Sequence, residues 1–329
     1  MVKKVSLKDI AQKVGVSTAL VSYVLSGNEE KGRVGKETAE RIRQAAKELN
    51  YQPNHIAKSL KTGKTNTIGL IVADISNPFF ASIARGVEDE SSQYGLTTII
   101  GSSDESPEKL KNLVDVFIKR QVDGFIISPP DQSEETINYI ISLGIPICLI
   151  DRHFELVDSS YVVTDNKNSM GKAVDYLIEL GYKNLAFIGY QSSLQHMKDR
   201  EQGFIEATDS IVSKIYKINF NKQQKELSDN IQIILNEQKA DAIVFATNTL
   251  SIAGLKYLTQ QGIQIPNHLN VMCFDSSEVY DFFYHPIIHV KQPIEKLAKE
   301  SVIILTGQMK ENTIQKKVLS SELMIKGRG

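Results

Sequence analysis

Asp151 and Arg152 follow the apolar run Ile145–Ile150, Asp275 follows Val271–Phe274, and Asn248 follows Ala242–Ala246. Phe79 and Phe80 come after the run Thr67–Ala73, Phe220 closes Ile215–Phe220, and Gln292 precedes Pro293. Arg200 opens an Arg-x-x-Gly-Phe element with Gly203 and Phe204. Carboxylates, amides and a guanidinium give paired hydrogen bonds to vicinal hydroxyls, and aromatic faces cover the C–H surface of a ring. A site built this way rejects analogues that lack the hydroxyls. Phe79, Asp151, Arg200, Phe220, Asn248, Asp275 and Gln292 are therefore the candidate contacts for a sugar or sugar phosphate. The plainer alternatives are an ion pair between Arg200 and Asp275, and core packing for one of the two adjacent phenylalanines, since neighbours on a helix cannot both point the same way.

A second chemistry lies near the N-terminus. Thr18, Ala19, Ser22 and Tyr23 are small or hydrogen-bonding residues on the exposed side of a helical pattern, sized for a DNA major groove. The first 64 residues carry 13 Lys/Arg and 6 Asp/Glu, a net of +7, whereas the remaining 265 carry 25 and 33, a net of −8. A basic head on an acidic body points to a polyanionic partner for the head.

Catalytic signatures are missing. There is no phosphate loop, HExxH or Gly-x-Ser-x-Gly, and the six histidines (His55, His153, His196, His268, His285, His289) are scattered. The two cysteines, Cys148 and Cys273, sit far apart in apolar runs and without metal-ligand spacing, so they read as reduced core thiols of a cytoplasmic protein. No cofactor, metal or enzymatic activity is expected. The N-terminus lacks a signal peptide's apolar stretch, and no run has membrane-spanning length.

The elements that must position these residues follow from periodicity. Ser6 and Asp9 form a capping-box pattern, Leu7, Ile10, Ala11 and Val14 recur at helical spacing, and Gly15 stops the helix. Ser17 caps a second helix whose apolar positions are Leu20, Val21, Val24 and Leu25. Gly35 can cap a third over about 36–50, with Ala39, Ile42, Ala45, Ala46 and Leu49 inward and Arg41, Arg43 and Lys47 as candidate phosphate contacts. Two short helices about a Gly-Val turn make a helix-turn-helix. Beyond residue 66, near-continuous apolar runs alternate with helical patterns, and the alternation restarts near residue 169. Two doubly wound parallel sheets are predicted, with a cleft at their strand ends.

The stretch "VSLKDIAQKVGVSTALVSYVLSG", followed by "RVGKETAERIRQAAKELNYQPNHIAKSLKTGKTNTIGLIVADISNPFF", resembles the N-terminal half of the lactose-repressor/galactose-repressor (LacI) family. "VTDNKNSMGKAVDYLIELGYKNLAFIGY", "KDREQGF", "FATNTLSIAGL", "MCFDSS" and "VKQPIEKLAKESVIIL" resemble it more loosely. The resemblance implies an α/β chain: a three-helix head over 1–52, a hinge over 53–65, and a two-lobed domain over 66–329 similar to periplasmic sugar-binding proteins. It implies lobe one at 66–163 and 291–317, and lobe two at 164–290 and 318–329.

It further implies base contacts by Thr18, Ala19 and Tyr23, phosphate contacts by Ser17 and Ser22, and a hinge contact by Lys58. Leu60 is implied to wedge into the minor groove. The implied partners are double-stranded operator DNA, a second copy of the chain and a small effector, with the sugar releasing repression. A corepressor or protein partner, as in the catabolite-control branch, is the alternative. Three residues depart from the family pattern, one of them Gly35, which stands where a Ser or Thr cap is usual and is itself an acceptable cap. Tyr23 stands where Arg is common and cannot make Arg's bidentate contact to guanine, and Asn248-Thr249 replaces the usual Asn-Asp. The C-terminus has no apolar heptad for a tetramerisation helix.

Overall fold

A computed structural model of the chain describes residues 5–51, 63–311 and 313–325. It forms two compact units, Met1–Thr65 and Asn66–Gly329. Lys58, Leu60 and most of the expected hinge lie outside the described residues.

The first unit holds α1 (Leu7–Val14), α2 (Thr18–Leu25) and α3 (Lys36–Glu48). The expected capping box is present: the Ser6 hydroxyl accepts from the Asp9 amide, and the Asp9 carboxylate accepts from the Ser6 amide at 2.8 Å. Gly15 ends α1 with φ +76°, a left-handed conformation that costs a side-chain-bearing residue about 1 kcal/mol. The Ser17 hydroxyl caps α2 by accepting from the Leu20 amide at 3.2 Å. Ile10, Val14, Val21, Val24, Ala39 and Ile42 close the small core. Arg41 and Arg43, expected as phosphate contacts, also have partners within the head. Arg41 donates to the Val14 carbonyl at 3.0 Å, satisfying an orphan acceptor at the end of α1, and Arg43 pairs with Glu29 and Glu40.

The second unit contains two six-stranded sheets of the same design. The first is built from β1 (Thr67–Val72), β2 (Thr97–Ser102), β3 (Gly124–Ile127), β4 (Ile147–Ile150), β5 (Ser160–Thr164) and β11 (Lys316–Leu319). The second contains β6 (Asn184–Tyr190), β7 (Val212–Ile218), β8 (Ala242–Phe245), β9 (Asn270–Phe274), β10 (Ile288–Lys291) and β12 (Glu322–Met324). Their orders, β11-β5-β4-β3-β1-β2 and β12-β10-β9-β8-β6-β7, are equivalent: each sheet places its first strand between its second and third. That is a topological switch point, where the chain parts to leave a crevice outside the strand ends.

Apolar runs buried on both faces build these strands. Leu70 and Val72 pack with Ile83, Val302 and Leu305 on one side of the first sheet, while Ile71 packs with Leu110, Val114 and Phe117 on the other. Cys148 and Cys273 are free and buried, as expected. Gly203 is required by close packing of helices Asn166–Glu179 and Gln195–Ala207, because a Cβ there would stand 2.2 Å from the Lys167 carbonyl oxygen.

Three details differ from the sequence reading. The chain leaves the first sheet after Thr164, returns after Lys291 and leaves again after Leu319. These crossings fall one, one and two residues beyond the expected boundaries, because Thr164, Lys291 and Leu319 still occupy their strands. The second sheet is not wholly parallel, since β12 pairs antiparallel with β10. Only Ser320 and Ser321 separate β11 from β12, so the chain cannot reverse and enters the second lobe running away from the cleft. Phe220 does not close a strand: β7 ends at Ile218 and Phe220 begins a single 3-10 turn.

Candidate functional site

Loops following the strands of both lobes meet at the cleft. Asp151 follows β4 and Asp275 follows β9, with φ of +69° and +74°, so the two lobes use a left-handed aspartate at matching places. Non-glycine residues held there store modest strain, and such residues cluster at binding sites.

In lobe one, Arg152 is 8% exposed and grips Glu105 with both ends of its guanidinium, at 2.7 Å each. It also donates to the Pro129 carbonyl at 3.3 Å, and its Cζ lies 5.4 Å from the Phe80 ring centre. Phe79 and Phe80 meet edge to face at 5.1 Å, and both belong to the lobe-one core. Burial raises the Asp151 carboxyl to about 6, opposed by the nearby charges of Arg152 and of Arg200 in the other lobe.

In lobe two, Arg200 is 2% exposed and is held mainly by neutral acceptors. Its Nε donates to the Asn166 side chain at 2.8 Å, its Nη1 donates to the Ala246 carbonyl at 2.8 Å, and the Phe274 ring centre lies 3.8 Å from its Cζ. Asp275 stands 3.8 Å from that Nη1, a long ion pair. Asp275 instead accepts from the Gln292 amide at 2.6 Å, and Gln292 accepts from the Thr164 hydroxyl at 2.5 Å. This chain of bonds ties the end of β5 in lobe one to the end of β9 in lobe two.

Two further links cross the cleft. Asn248 donates its side-chain amide to Asn77 at 2.9 Å. Asp131, after β3, accepts from the Ser193 amide at 3.0 Å and from the hydroxyls of Ser192 and Ser193.

Asp151, Arg200, Asn248, Asp275 and Gln292 are thus brought together. Phe79 adjoins them through Phe80 and Arg152. Phe220 is 51% exposed and rests on Tyr190 with ring centres 5.4 Å apart, at the margin rather than inside. His196 is a buried member that sequence reasoning passed over as an isolated histidine. It stands one turn before Arg200, its Nδ1 has no hydrogen-bond partner, and burial, with the charges of Arg152 and Arg200, holds its pKa well below the usual value. The available signal was its spacing of four from Arg200.

In the head, Ser17, Thr18, Ala19 and Tyr23 are exposed along α2 and Ser22 is half-buried, so the five candidate DNA contacts share one accessible helix. The Ser17 hydroxyl is already engaged as the helix cap.

Comparison with known proteins bears on both units. The family description "Bacterial regulatory proteins, lacI family" matches residues 6–54, and "Periplasmic binding proteins and sugar binding domain of LacI family" matches residues 65–292. The chain is 29% identical to catabolite control protein A of Staphylococcus xylosus over 316 residues, covering 94% of each. It is 30% identical to the ribose operon repressor of Halalkalibacterium halodurans over 314 residues, covering 94% of this chain and 92% of that protein. Its fold is similar to the crystal structure of the lac repressor dimer bound to operator and the anti-inducer ONPF, with a TM-score of 0.86, 20% identity and 98% of each chain covered. No helix among the described residues is long and apolar enough to cross a membrane.

Proposed function

The chain belongs to the LacI family of bacterial regulatory proteins, and from that premise we propose that it is a cytoplasmic, non-enzymatic repressor whose grip on operator DNA is released by a sugar. The observation that carries this reading is the convergence of Asp151 from one lobe with Arg200, Asn248 and Asp275 from the other, in a chain that also carries a helix-turn-helix. The relatives named as a ribose operon repressor and a catabolite control protein fit the same role.

The cleft's charges narrow the effector. Asp151, Glu105, Asp275 and Asp131 outnumber Arg152 and Arg200, and Arg152 is already committed to Glu105. A phosphate would bring two negative charges to a site with no cationic surplus, whereas an uncharged polyhydroxyl ring meets acceptors and donors in mixture. The effector is therefore an unphosphorylated sugar, held by Arg200, Asp275, Asn248, Asp151 and Gln292, with Phe79 at the wall.

The head works as a homodimer, with one α2 per half-site of a pseudo-palindromic operator. Residues 53–65 link the two activities, with Lys58 and Leu60 as the DNA contacts of that segment. Control requires the sugar to bind two arrangements of the lobes with different affinities. Fluorescence anisotropy of the full chain on genomic fragments, with a panel of free and phosphorylated sugars, tests this. One uncharged sugar is expected to weaken sequence-specific binding. Release by phosphorylated sugars alone overturns the effector assignment, and tighter operator binding with a sugar or a protein partner overturns induction.

A further inference from the structure

Two of the head's four glycines, Gly15 and Gly27, have a backbone reason for being glycine, and Gly32 does not. Gly15 and Gly27 have φ of +76° and +70° with open space around them. Gly32 is outside the left-handed region, and a Cβ there would lie 2.8 Å from Tyr23 Cγ and 2.9 Å from both Tyr23 Cβ and Cδ2. The collision is with the root of the side chain, which cannot swing away as a flexible tip could.

The loop that brings Gly32 there is fastened at both ends. The Asn28 amide donates to the Tyr23 carbonyl at 2.9 Å, the Gly32 amide donates to the Asn28 carbonyl at 3.2 Å, and the Val34 amide donates to the Glu29 carbonyl at 3.0 Å. Glu29 is in turn ion-paired with Arg43 on α3. The main chain therefore lies against one side of the Tyr23 ring, while the residue stays 40% exposed on α2.

We infer that Gly32 is a positioning residue for DNA reading: its bare backbone walls the Tyr23 ring and so sets which base pair the phenol prefers. A side chain ordered before docking loses less rotamer freedom on binding. A hydroxyl held in one place can select a partner on a base edge, whereas a swinging one contacts several equally. The inference rests on the DNA-reading role proposed above.

The test is operator selection by the full chain from randomised half-sites, followed by anisotropy on the selected site and its single-base variants. Tyr23→Ala identifies the base pair concerned as the one whose preference disappears. Gly32→Ala is expected to reduce discrimination at that same base pair by roughly fivefold or more, the low end of what one mismatched pair costs. Preferences elsewhere in the half-site stay as in the wild type. In the Tyr23→Ala background, Gly32→Ala is expected to change no base preference further. If Gly32→Ala alone does not fold, recovery of folding in Tyr23→Gly/Gly32→Ala, which removes the Tyr23 Cβ that would lie 2.9 Å away as well as the ring, supports the steric link, and failure there too overturns it. A uniform loss of affinity at all base pairs, or an equal effect with and without the Tyr23 ring, also overturns it. A Tyr23→Ala chain that keeps every preference removes Tyr23 as a reader and the inference with it. A wild-type chain that selects no sequence defeats the regulator reading itself, which is a different result from any of these.

Discussion

The two lobes each bury one arginine beside one left-handed aspartate, and they use them differently. Arg152 in lobe one is locked to Glu105 by two charge-assisted bonds of 2.7 Å. Arg200 in lobe two leans on an amide oxygen, a carbonyl and an aromatic face, with its carboxylate 3.8 Å away. The bidentate pair with Glu105 neutralises the Arg152 charge without a ligand, although the Arg152 Nε has no hydrogen-bond partner, whereas a cation held mainly by neutral groups still gains charge compensation from one. The near-symmetry of the sheets thus conceals a difference that underlies the proposed division of labour, in which Arg152 holds its lobe together and Arg200 answers the effector.

Substitutions at the two arginines separate these roles most sharply. Arg200→Ala is expected to cost about 2–5 kcal/mol of effector binding, the range for removing one partner of a buried charged contact, and to leave operator affinity unchanged. Calorimetry with the sugar and anisotropy with the operator measure the two quantities. Arg152→Ala is expected to act on folding instead, lowering stability by about 3 kcal/mol because Glu105 loses its partner. Urea unfolding reads this, and partial recovery in Arg152→Met/Glu105→Gln is the expected control. If the two alanine variants behave alike, the division is wrong.

Gly203→Ala offers a smaller, purely structural contrast beside Arg200. Overpacking the helix crossing at Lys167 is expected to cost about 1–3 kcal/mol of stability in thermal unfolding. Effector affinity should fall only as far as the crossing displaces Arg200.

The smallest expected effect is a pH dependence. Burial holds the Asp151 carboxyl at about 6, above its ordinary value of 3.8. The folded chain therefore keeps a proton that the unfolded chain gives up. Asp151's stabilising contribution is full below about 3.8, declines as pH rises to about 6, and stays level above that. Above about 6 the carboxylate only accepts hydrogen bonds, so effector affinity is expected to rise severalfold between pH 5 and 7 and then flatten. Asp151→Asn should remove the slope. Arg200→Ala should shift the Asp151 inflection upward, because a charge that favours the carboxylate is gone.

What could be read from the sequence was mostly local. Ser6, Asp9, Gly15 and Ser17 punctuate the head through bonds spanning only a few residues, and runs such as Thr67–Val72 announce strands buried on both faces. That Asp151, Asn248, Asp275 and Gln292 lie near one another was legible because strand ends converge in such sheets, whereas Arg200, on the helix Gln195–Ala207, was marked only by its Arg-x-x-Gly-Phe element. The long-range partners were not. Glu105 meets Arg152 from 47 positions away, and Asn77 meets Asn248 from 171. Short strands such as β5, β10 and β12 carry too few residues to show a period, and exist because neighbours pair with them. Phe220 was misplaced because an aromatic at the end of an apolar run looks like a strand end, while here the chain has already turned at Asn219.

Coupling between the cleft and the operator is read by anisotropy of the wild-type chain and Arg200→Ala on the selected operator, titrated with the releasing sugar. At least a tenfold loss of operator affinity is expected in the wild type at saturating sugar and none in the variant, with equal affinities in the absence of sugar. Operator release by the sugar to the same extent in both chains would contradict it, because the cleft arginine would then have no part in the response.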